Sequence, residues 1–295
     1  MIITRFAPSP TGFLHLGHAF SAFNGWKRAR QSGGRFLLRL EDIDPGRCRP
    51  EFAAAIQEDL AWLGLDWDRP ARVQSEHFSE YQAVLDGLAE RGLVYPCFCT
   101  RANIAREVAA SVAAPHGPDG APLYPGTCRR LSATERAERI AAGERFALRL
   151  DMAAAFRPDL VYREESGGRE EGGGREEGGG REEGGDRVAC HPEQFGDVVL
   201  ARKDAPASYH LCVAHDDALQ GVTLVTRGID LKPATDLHRL LQALMGWPVP
   251  VYAHHRLLVD AAGRRLAKRN QAATLRSVRA EGVSARAVIE TFDRS

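Results

Sequence analysis

Two histidines three residues apart, in His15-Leu16-Gly17-His18, follow the proline-stiffened stretch Arg5-Phe6-Ala7-Pro8-Ser9-Pro10-Thr11-Gly12. A short apolar run leads into this loop and a helical pattern leads out of it. Backbone N–H groups at a helix start, reinforced by the positive end of the helix dipole, favour an anion, and two imidazoles there can donate to phosphate oxygens. Gly17 lets a nucleotide approach the backbone. Far along the chain, Arg264-Arg265-Leu266-Ala267-Lys268-Arg269-Asn270 places four cations after the turn Asp260-Ala261-Ala262-Gly263. Such a basic loop can neutralise a triphosphate as charge develops in nucleotidyl transfer. Taken alone, it reads equally as a solvated turn.

Cysteines supply a second candidate centre. Cys97-Phe98-Cys99 and Tyr124-Pro125-Gly126-Thr127-Cys128 bring three thiols and a phenol within 32 residues. Tetrahedral zinc takes four such ligands. From spacing alone, a zinc site and three buried thiols stand about even. Cys48, Cys190 and Cys212 read as free thiols, and the six cysteines together suit a reducing compartment better than a disulfide frame.

The elements that must position these groups follow from patterning. Ile2 to Phe6, the helix from Phe20 to Arg30 and Arg35 to Leu40 form a βαβ unit, which makes adjacent parallel strands and gathers ligands where strands end and helices begin. Amphipathic helices at Pro50 to Gly64 and Glu76 to Gly92 close on glycine. Leu93 to Arg130, rich in Cys, Pro and Gly, reads as an inserted subdomain with one helix. Strands are then expected at Arg145 to Leu150, Asp197 to Arg202, Val222 to Arg227 and Val251 to Val259. Helices are expected at Tyr209 to Leu219 and Leu231 to Met245, and short closing ones near Thr274 to Glu281 and Ser284 to Phe292. The fold class is therefore α/β.

The 295 residues, 44% of them hydrophobic, suffice for one or two domains with a real core. No apolar run approaches the roughly 20 residues of a membrane span, and Met1-Ile2-Ile3-Thr4-Arg5 does not open a signal peptide, so a cytoplasmic protein without membrane contact is expected. The 39 basic and 39 acidic side chains hide an asymmetry. Residues 164–187 repeat Gly-Gly-Gly-Arg-Glu-Glu and hold eight Glu, one Asp and four Arg, net −5, which leaves +5 for the remainder. With ten glycines and almost nothing apolar, this stretch reads as a disordered insertion. A remainder at +5 is enough to hold an RNA stem-loop weakly.

The pairing of His15-Leu16-Gly17-His18 with Arg265-Leu266-Ala267-Lys268-Arg269 resembles the class I aminoacyl-tRNA synthetases, whose His-Ile-Gly-His and Lys-Met-Ser-Lys-Ser signatures bracket a Rossmann catalytic domain. The first match is close. The second keeps Lys268 but has Arg for the first Lys and Ala and Arg for the serines, which implies a loop that closes less tightly. Arg5 to Gly12, with Leu38-Arg39-Leu40-Glu41-Asp42-Ile43-Asp44, is nearer still to the glutamyl branch. Only Asn270 to Ser295 follow the basic loop, where glutamyl- and glutaminyl-tRNA synthetases continue into anticodon-binding domains. That narrows the resemblance to the short glutamyl-queuosine branch.

The resemblance implies a Rossmann-type catalytic domain in two halves (1–92 and 145–259), an inserted zinc-containing subdomain (93–144), and the basic loop with a short C-terminal helical segment (260–295). It implies L-glutamate, ATP with Mg and the queuosine-bearing anticodon stem-loop of tRNA(Asp) as partners, structural Zn, and a monomer. Arg5 and Tyr209 would face the side-chain carboxylate, Arg227 the α-carboxylate, and Glu41 with Ser9 the α-ammonium. His15, His18 and Lys268 would serve catalysis and, with Gly17, bind ATP; Cys97, Cys99, Tyr124 and Cys128 would hold zinc. The segments Asp216 to Thr223 and Arg227 to Leu231 would line the nucleotide and amino-acid pockets, although Asp216 and Asp217 read equally as caps or turn formers, and Arg39, Asp42 and Asp44 as surface ion pairs. A shortened glutamyl-tRNA synthetase, a small-molecule nucleotidylyltransferase and a non-catalytic amino-acid- or RNA-binding paralogue are the alternatives.

Overall fold

The computed structural model describes residues 1–109, 116–118, 120–165, 185–259 and 273–293. Along the chain, β1 (Ile3–Phe6), α1 (Leu16–Gln31) and β2 (Arg35–Leu40) come first, followed by α2 (Pro50–Trp62), β3 (Arg72–Val73) and α3 (Phe78–Glu90). Next are β4 (Val94–Cys97), α4 (Arg101–Ala109), α5 (Ala133–Ala141), β5 (Ala147–Leu150) and the one-turn α6 (Met152–Ala155). Then come β6 (Val161–Glu164), β7 (Asp186–Ala189), β8 (Val199–Ala201), α7 (Tyr209–Leu219) and β9 (Leu224–Gly228). Last are α8 (Ala234–Met245), β10 (Val251–His255), α9 (Leu275–Ala280) and α10 (Ala285–Asp293).

β1 and β2 pair in parallel across α1, with Ile3 opposite Arg35 and Phe6 opposite Leu38, and β3 continues that sheet beyond β2. β9, β10 and β6 are also mutually parallel, and β7 closes the edge as the antiparallel arm of a hairpin with β6. β1 lies beside β9: Thr223 N–H donates to the Ile3 carbonyl (3.0 Å) and Ile3 N–H to Thr223 Oγ1 (2.9 Å). The winding therefore runs outward in opposite directions from β1 and β9, and the crevice at their carboxyl ends is the position where such sheets bind ligands. Gly25 brings α1 against this junction. A Cβ there would sit 2.9 Å from Thr226 Oγ1 and 3.2 Å from the Phe36 ring, so a larger residue would force helix and sheet apart.

Among the apolar clusters of the described residues, the two largest flank the sheet. One joins α3, α7 and α8 through Tyr81, Leu85, Leu211, Leu237 and Leu241. The other joins α1, α2 and β2 to the C-terminal helices, where Val288 and Phe292 of α10 meet Phe20 and Phe23. β4, β5 and β8 form a separate antiparallel sheet, so residues 94–97 pair directly with residues 147–150. Among the described residues no helix is long and apolar enough to cross a membrane.

Several boundaries differ from the sequence expectation. α1 starts at Leu16 because His15 caps it. α8 starts only at Ala234, after a 3-10 turn at Ile229–Leu231 and Pro233, which preorganises the helix entry. β10 ends at His255, and the chain beyond it lines the crevice. α5 was not anticipated, although Ser132 and Glu135 form a capping box. Glu164, Asp186 and Arg187, counted within the repeat insertion, are strand residues of the β6–β7 hairpin. Residues 166–184 lie outside the described residues.

Candidate active site

The cleft at the ends of β1 and β9 has a volume of about 480 Å³, within the range of small-molecule sites. Its walls contain Arg5, Ser9, His15, Gly17, His18, Glu41, Tyr209 and Arg227. The structure thus brings together every expected amino-acid and nucleotide residue that lies in described segments. Lys268 belongs to 260–272, outside the described residues. The chain enters that segment from the cleft wall at Leu257 and Leu258, and leaves it where Thr274 bridges His15 and Leu275 N–H donates to the Leu14 carbonyl (2.8 Å).

At the helix start, His15 Nδ1 accepts the Gly17 N–H (3.1 Å) and His18 Nδ1 accepts the His15 N–H (3.2 Å). This is a capping box built from two imidazoles, with ring centroids 3.7 Å apart. Each Nδ1 must be a lone pair, so in the neutral rings Nε2 carries the proton. Both rings therefore offer Nε2–H donors at the positive end of a 16-residue helix.

The opposite wall is ionic and buried. Asp217, from the last turns of α7, grips Arg5 through two oxygens, Nε–Oδ1 at 2.9 Å and Nη2–Oδ2 at 3.3 Å, while Arg5 Nη1 donates to the Thr226 carbonyl (3.2 Å). Asp217 Oδ1 also accepts from Arg39 Nη1 (2.8 Å), and Arg39 Nη2 reaches Glu41 Oε1 (3.4 Å). Burial opposes ionisation of Asp217, but Arg5 and Arg39 overcome it and hold its carboxyl below the usual range. Asp216 is buried beside it and accepts from Arg72 Nε (3.0 Å), Gln74 Nε2 (2.9 Å) and Tyr81 OH (2.9 Å). Asp216 and Asp217 are therefore neither caps nor turn formers. Their oxygens anchor arginines of the sheet, Asp217 those of β1 and β2 and Asp216 that of β3.

Arg39 is fully buried and so is not a surface ion pair. Nor is Asp42, whose carboxylate accepts from Ser75 N–H (2.8 Å) and Oγ (2.6 Å) in the 3-10 turn after β3; Asp44 alone of the three pairs near the surface, with Arg47 (2.8 Å) and Arg202 (3.3 Å). Sequence reasoning missed Arg39 because its neighbours on β2 are apolar. Its signal was a charge inside a buried parallel strand, where an isolated cation is expensive and a partner is obligatory.

Glu41 faces the same space, held by its N–H to the Pro8 carbonyl (3.0 Å), which sets it beside Ser9. Burial pushes its carboxyl up to about 7, against the pull of Arg39 and Arg5. Counting Arg5, Arg39 and Arg227 against Asp217 and ionised Glu41 leaves one positive charge in excess. Two cations and one anion at the cleft surface suit a small molecule with two carboxylates and one ammonium. Tyr209, the first residue of α7, lines the cleft, and burial raises its phenol above the ordinary value.

The cysteine cluster is a separate centre. Cys97, Cys99 and Cys128 sulfurs lie within 4.8 Å of one another. Tyr124 OH is 3.4 Å from both Cys97 and Cys99, and Cys99 is 3.5 Å from Cys128. Burial opposes the Cys128 thiolate, but hydrogen bonds from Tyr124 and the Phe98 N–H (3.3 Å) lower its pKa, while burial raises Cys99 to about 11. Arg149 stacks over the Tyr124 ring (3.8 Å), adding positive charge beside the cluster.

The family model for tRNA synthetases class I (E and Q), catalytic domain, matches residues 1–164 and 181–295. The chain is 47% identical over 284 residues to the glutamyl-Q tRNA(Asp) synthetase of Rhodobacter capsulatus, covering 96% of each. It is 36% identical over 281 residues to the glutamate–tRNA ligase of Aquifex aeolicus, covering 95% of this chain and 54% of that one. Among solved structures, it is similar to a glutamate tRNA ligase from Elizabethkingia meningosepticum in complex with its amino acid (TM-score 0.70, 26% identity). That match covers 91% of this chain and 52% of the other, so this chain spans about half of that enzyme.

Proposed function

The chain belongs to the catalytic-domain family of the class I tRNA synthetases for glutamate and glutamine, and from that premise we propose that it activates L-glutamate with ATP, without needing tRNA, and transfers the glutamyl group to queuosine in the anticodon of tRNA(Asp). The observation that carries the proposal is the cleft itself. Two buried arginines and one carboxylate meet there beside a helix start bearing two Nε2–H donors. A relative alike over 96% of its length carries the name glutamyl-Q tRNA(Asp) synthetase.

The assignment follows the charges. Arg5 with Tyr209 receives the side-chain carboxylate, Arg227 the α-carboxylate, and Glu41 with Ser9 the ammonium. ATP, as its Mg complex, lies with its phosphates toward Gly17 and the two histidines. An α-carboxylate oxygen attacks the α-phosphorus, the bond to pyrophosphate breaks, and His15, His18 and Lys268 stabilise the charge that develops on the phosphate oxygens. A queuosine hydroxyl then attacks the acyl carbon, its proton is lost and AMP leaves. No side-chain nucleophile takes part, so catalysis rests on positioning and electrostatics. On this reading the chain acts in the cytoplasm, where its tRNA substrate is found.

Cys97, Cys99, Tyr124 and Cys128 would hold zinc. Zn–S near 2.3 Å and Zn–O near 2.0 Å would give tetrahedral S···S edges of about 3.8 Å and S···O edges of about 3.5 Å; Cys99 and Cys128 sulfurs are 3.5 Å apart, Tyr124 OH is 3.4 Å from Cys97 and Cys99, and all three sulfurs lie within 4.8 Å of one another. All four positions carry protein ligands, so the ion would tie β4 to the turn before α5 and be structural.

Pyrophosphate exchange into ATP tests the first half-reaction. Exchange should occur with glutamate and no tRNA, and not with aspartate or glutamine. Exchange that requires tRNA, or that another amino acid supports as well, would contradict the proposal.

A further inference from the structure

Arg227 sits at the centre of a buried chain that the reaction does not use directly. Its Nε donates to His254 Nε2 (3.2 Å) on β10, its Nη1 to His238 Nδ1 (3.2 Å) on α8, and its Nη2 to Thr235 Oγ1 (2.7 Å). Its guanidinium lies over the Tyr252 ring at 5.3 Å. A guanidinium has five donors and no acceptor, so each imidazole nitrogen facing it must present a lone pair.

That requirement fixes both tautomers outward. His254 must carry its proton on Nδ1, which meets Glu164 Oε1 at 2.9 Å, and Glu164 is itself paired with Lys232 (2.9 Å). His238 must carry its proton on Nε2, which meets His210 Nδ1 at 3.2 Å. Burial and the nearby Arg227 charge keep both imidazoles neutral, His238 far below the ordinary histidine value and His254 below it despite Glu164. Three of the five guanidinium N–H groups are thereby engaged by described residues. One remains on each Nη, the number that a bidentate carboxylate takes up.

We infer that His238 and His254 are positioning residues for glutamate, each presenting one lone pair that orients the Arg227 guanidinium toward the α-carboxylate. The inference rests on the assignment of Arg227 above. It also gives the β6–β7 hairpin a part in the site: Glu164, the last residue of β6, sets the proton on His254 from 90 residues away in sequence. Glu165 beside it pairs with Arg28 of α1, so the hairpin end touches both the guanidinium network and the helix that begins at the two histidines.

The two imidazoles use different ring atoms, which provides the test. A glutamine carbonyl falls near the Nε2 position and an asparagine carbonyl near Nδ1. His254→Leu and His238→Leu should each weaken glutamate binding, by calorimetry and as KM in exchange, by about tenfold or more, with the ATP KM unchanged. His254→Gln and His238→Asn should recover most of the loss, whereas the misplaced acceptors of His254→Asn and His238→Gln should recover little. If a leucine variant fails to melt cooperatively, the glutamine-versus-asparagine comparison at that position decides. Equal glutamate affinity for matched and misplaced amides, or a change in kcat or ATP KM with the glutamate KM intact, overturns the inference. Arg227→Lys should lose glutamate saturation; wild-type affinity in that variant would overturn the Arg227 assignment itself, a separate result.

Discussion

Glutamate binding should weaken in mild acid because Glu41 protonates. In the protein alone its carboxyl sits at about 7, raised chiefly by burial. The displacement from 4.5 is about 2.5 units, or roughly 3 kcal/mol, disfavouring the charged form. An arriving ammonium reverses that preference, so the bound value falls and binding releases a proton. Above about pH 8 the empty protein is already ionised and affinity is flat; below about 7, affinity should fall by about tenfold per unit until the bound-state value is reached. The assay is calorimetric titration with glutamate in the absence of ATP, in buffers of different ionisation enthalpy. At about pH 7 it should register release of about half a proton per site. Glu41→Gln should remove both the slope and the proton release and weaken binding at high pH by about tenfold or more. A flat profile in the wild-type protein between about pH 6 and 8, or a slope that survives in Glu41→Gln, would refute the reasoning.

Asp217→Asn should both destabilise the fold and weaken glutamate binding, because Arg5 and Arg39 lose the anion they share at 2.9 and 2.8 Å. Breaking such a buried cluster costs about 3–5 kcal/mol, measurable by denaturant melting. Asp59, buried in α2 and raised to about 6 by burial, favours the fold in acid and loses that contribution as the pH rises through about 4 to 6. Asp59→Asn should therefore raise the melting temperature at neutral pH and change it little near pH 4. Prolonged chelation should lower the melting temperature of the wild-type chain but not of Cys99→Ser, while glutamate affinity in the cleft changes little; no effect on the wild type would remove the metal from the account.

The cleft was readable because its chemistry sits in runs that are local in sequence. Arg5 to His18 contains a strand end, a loop and a helix start, and phosphate binding depends on little more than that order. The pairs that fix those residues were not readable. Asp217 is 212 residues from Arg5, and Asp216 is 142 from Gln74, so no periodicity links them. The two α7 aspartates looked like turn formers because their composition near Gly221 imitates a turn. Arg39 was underestimated since strand patterning reports apolar faces and not the partner waiting across the sheet. The hairpin strands β6 and β7 escaped because four residues beside a glycine-rich repeat carry too little alternation to stand out. His238 and His254 gave no signal because nothing local marks them: His238 sits in the mixed pattern of α8 and His254 beside His255 at the end of β10, and their partner Arg227 lies on another strand.

Transfer decides the central claim most directly. With labelled glutamate and ATP, the chain should load tRNA(Asp) that carries queuosine, leave the same tRNA without queuosine unlabelled, and leave tRNA(Glu) uncharged. Charging of tRNA(Glu), or equal labelling of tRNA(Asp) with and without the modified base, would contradict it.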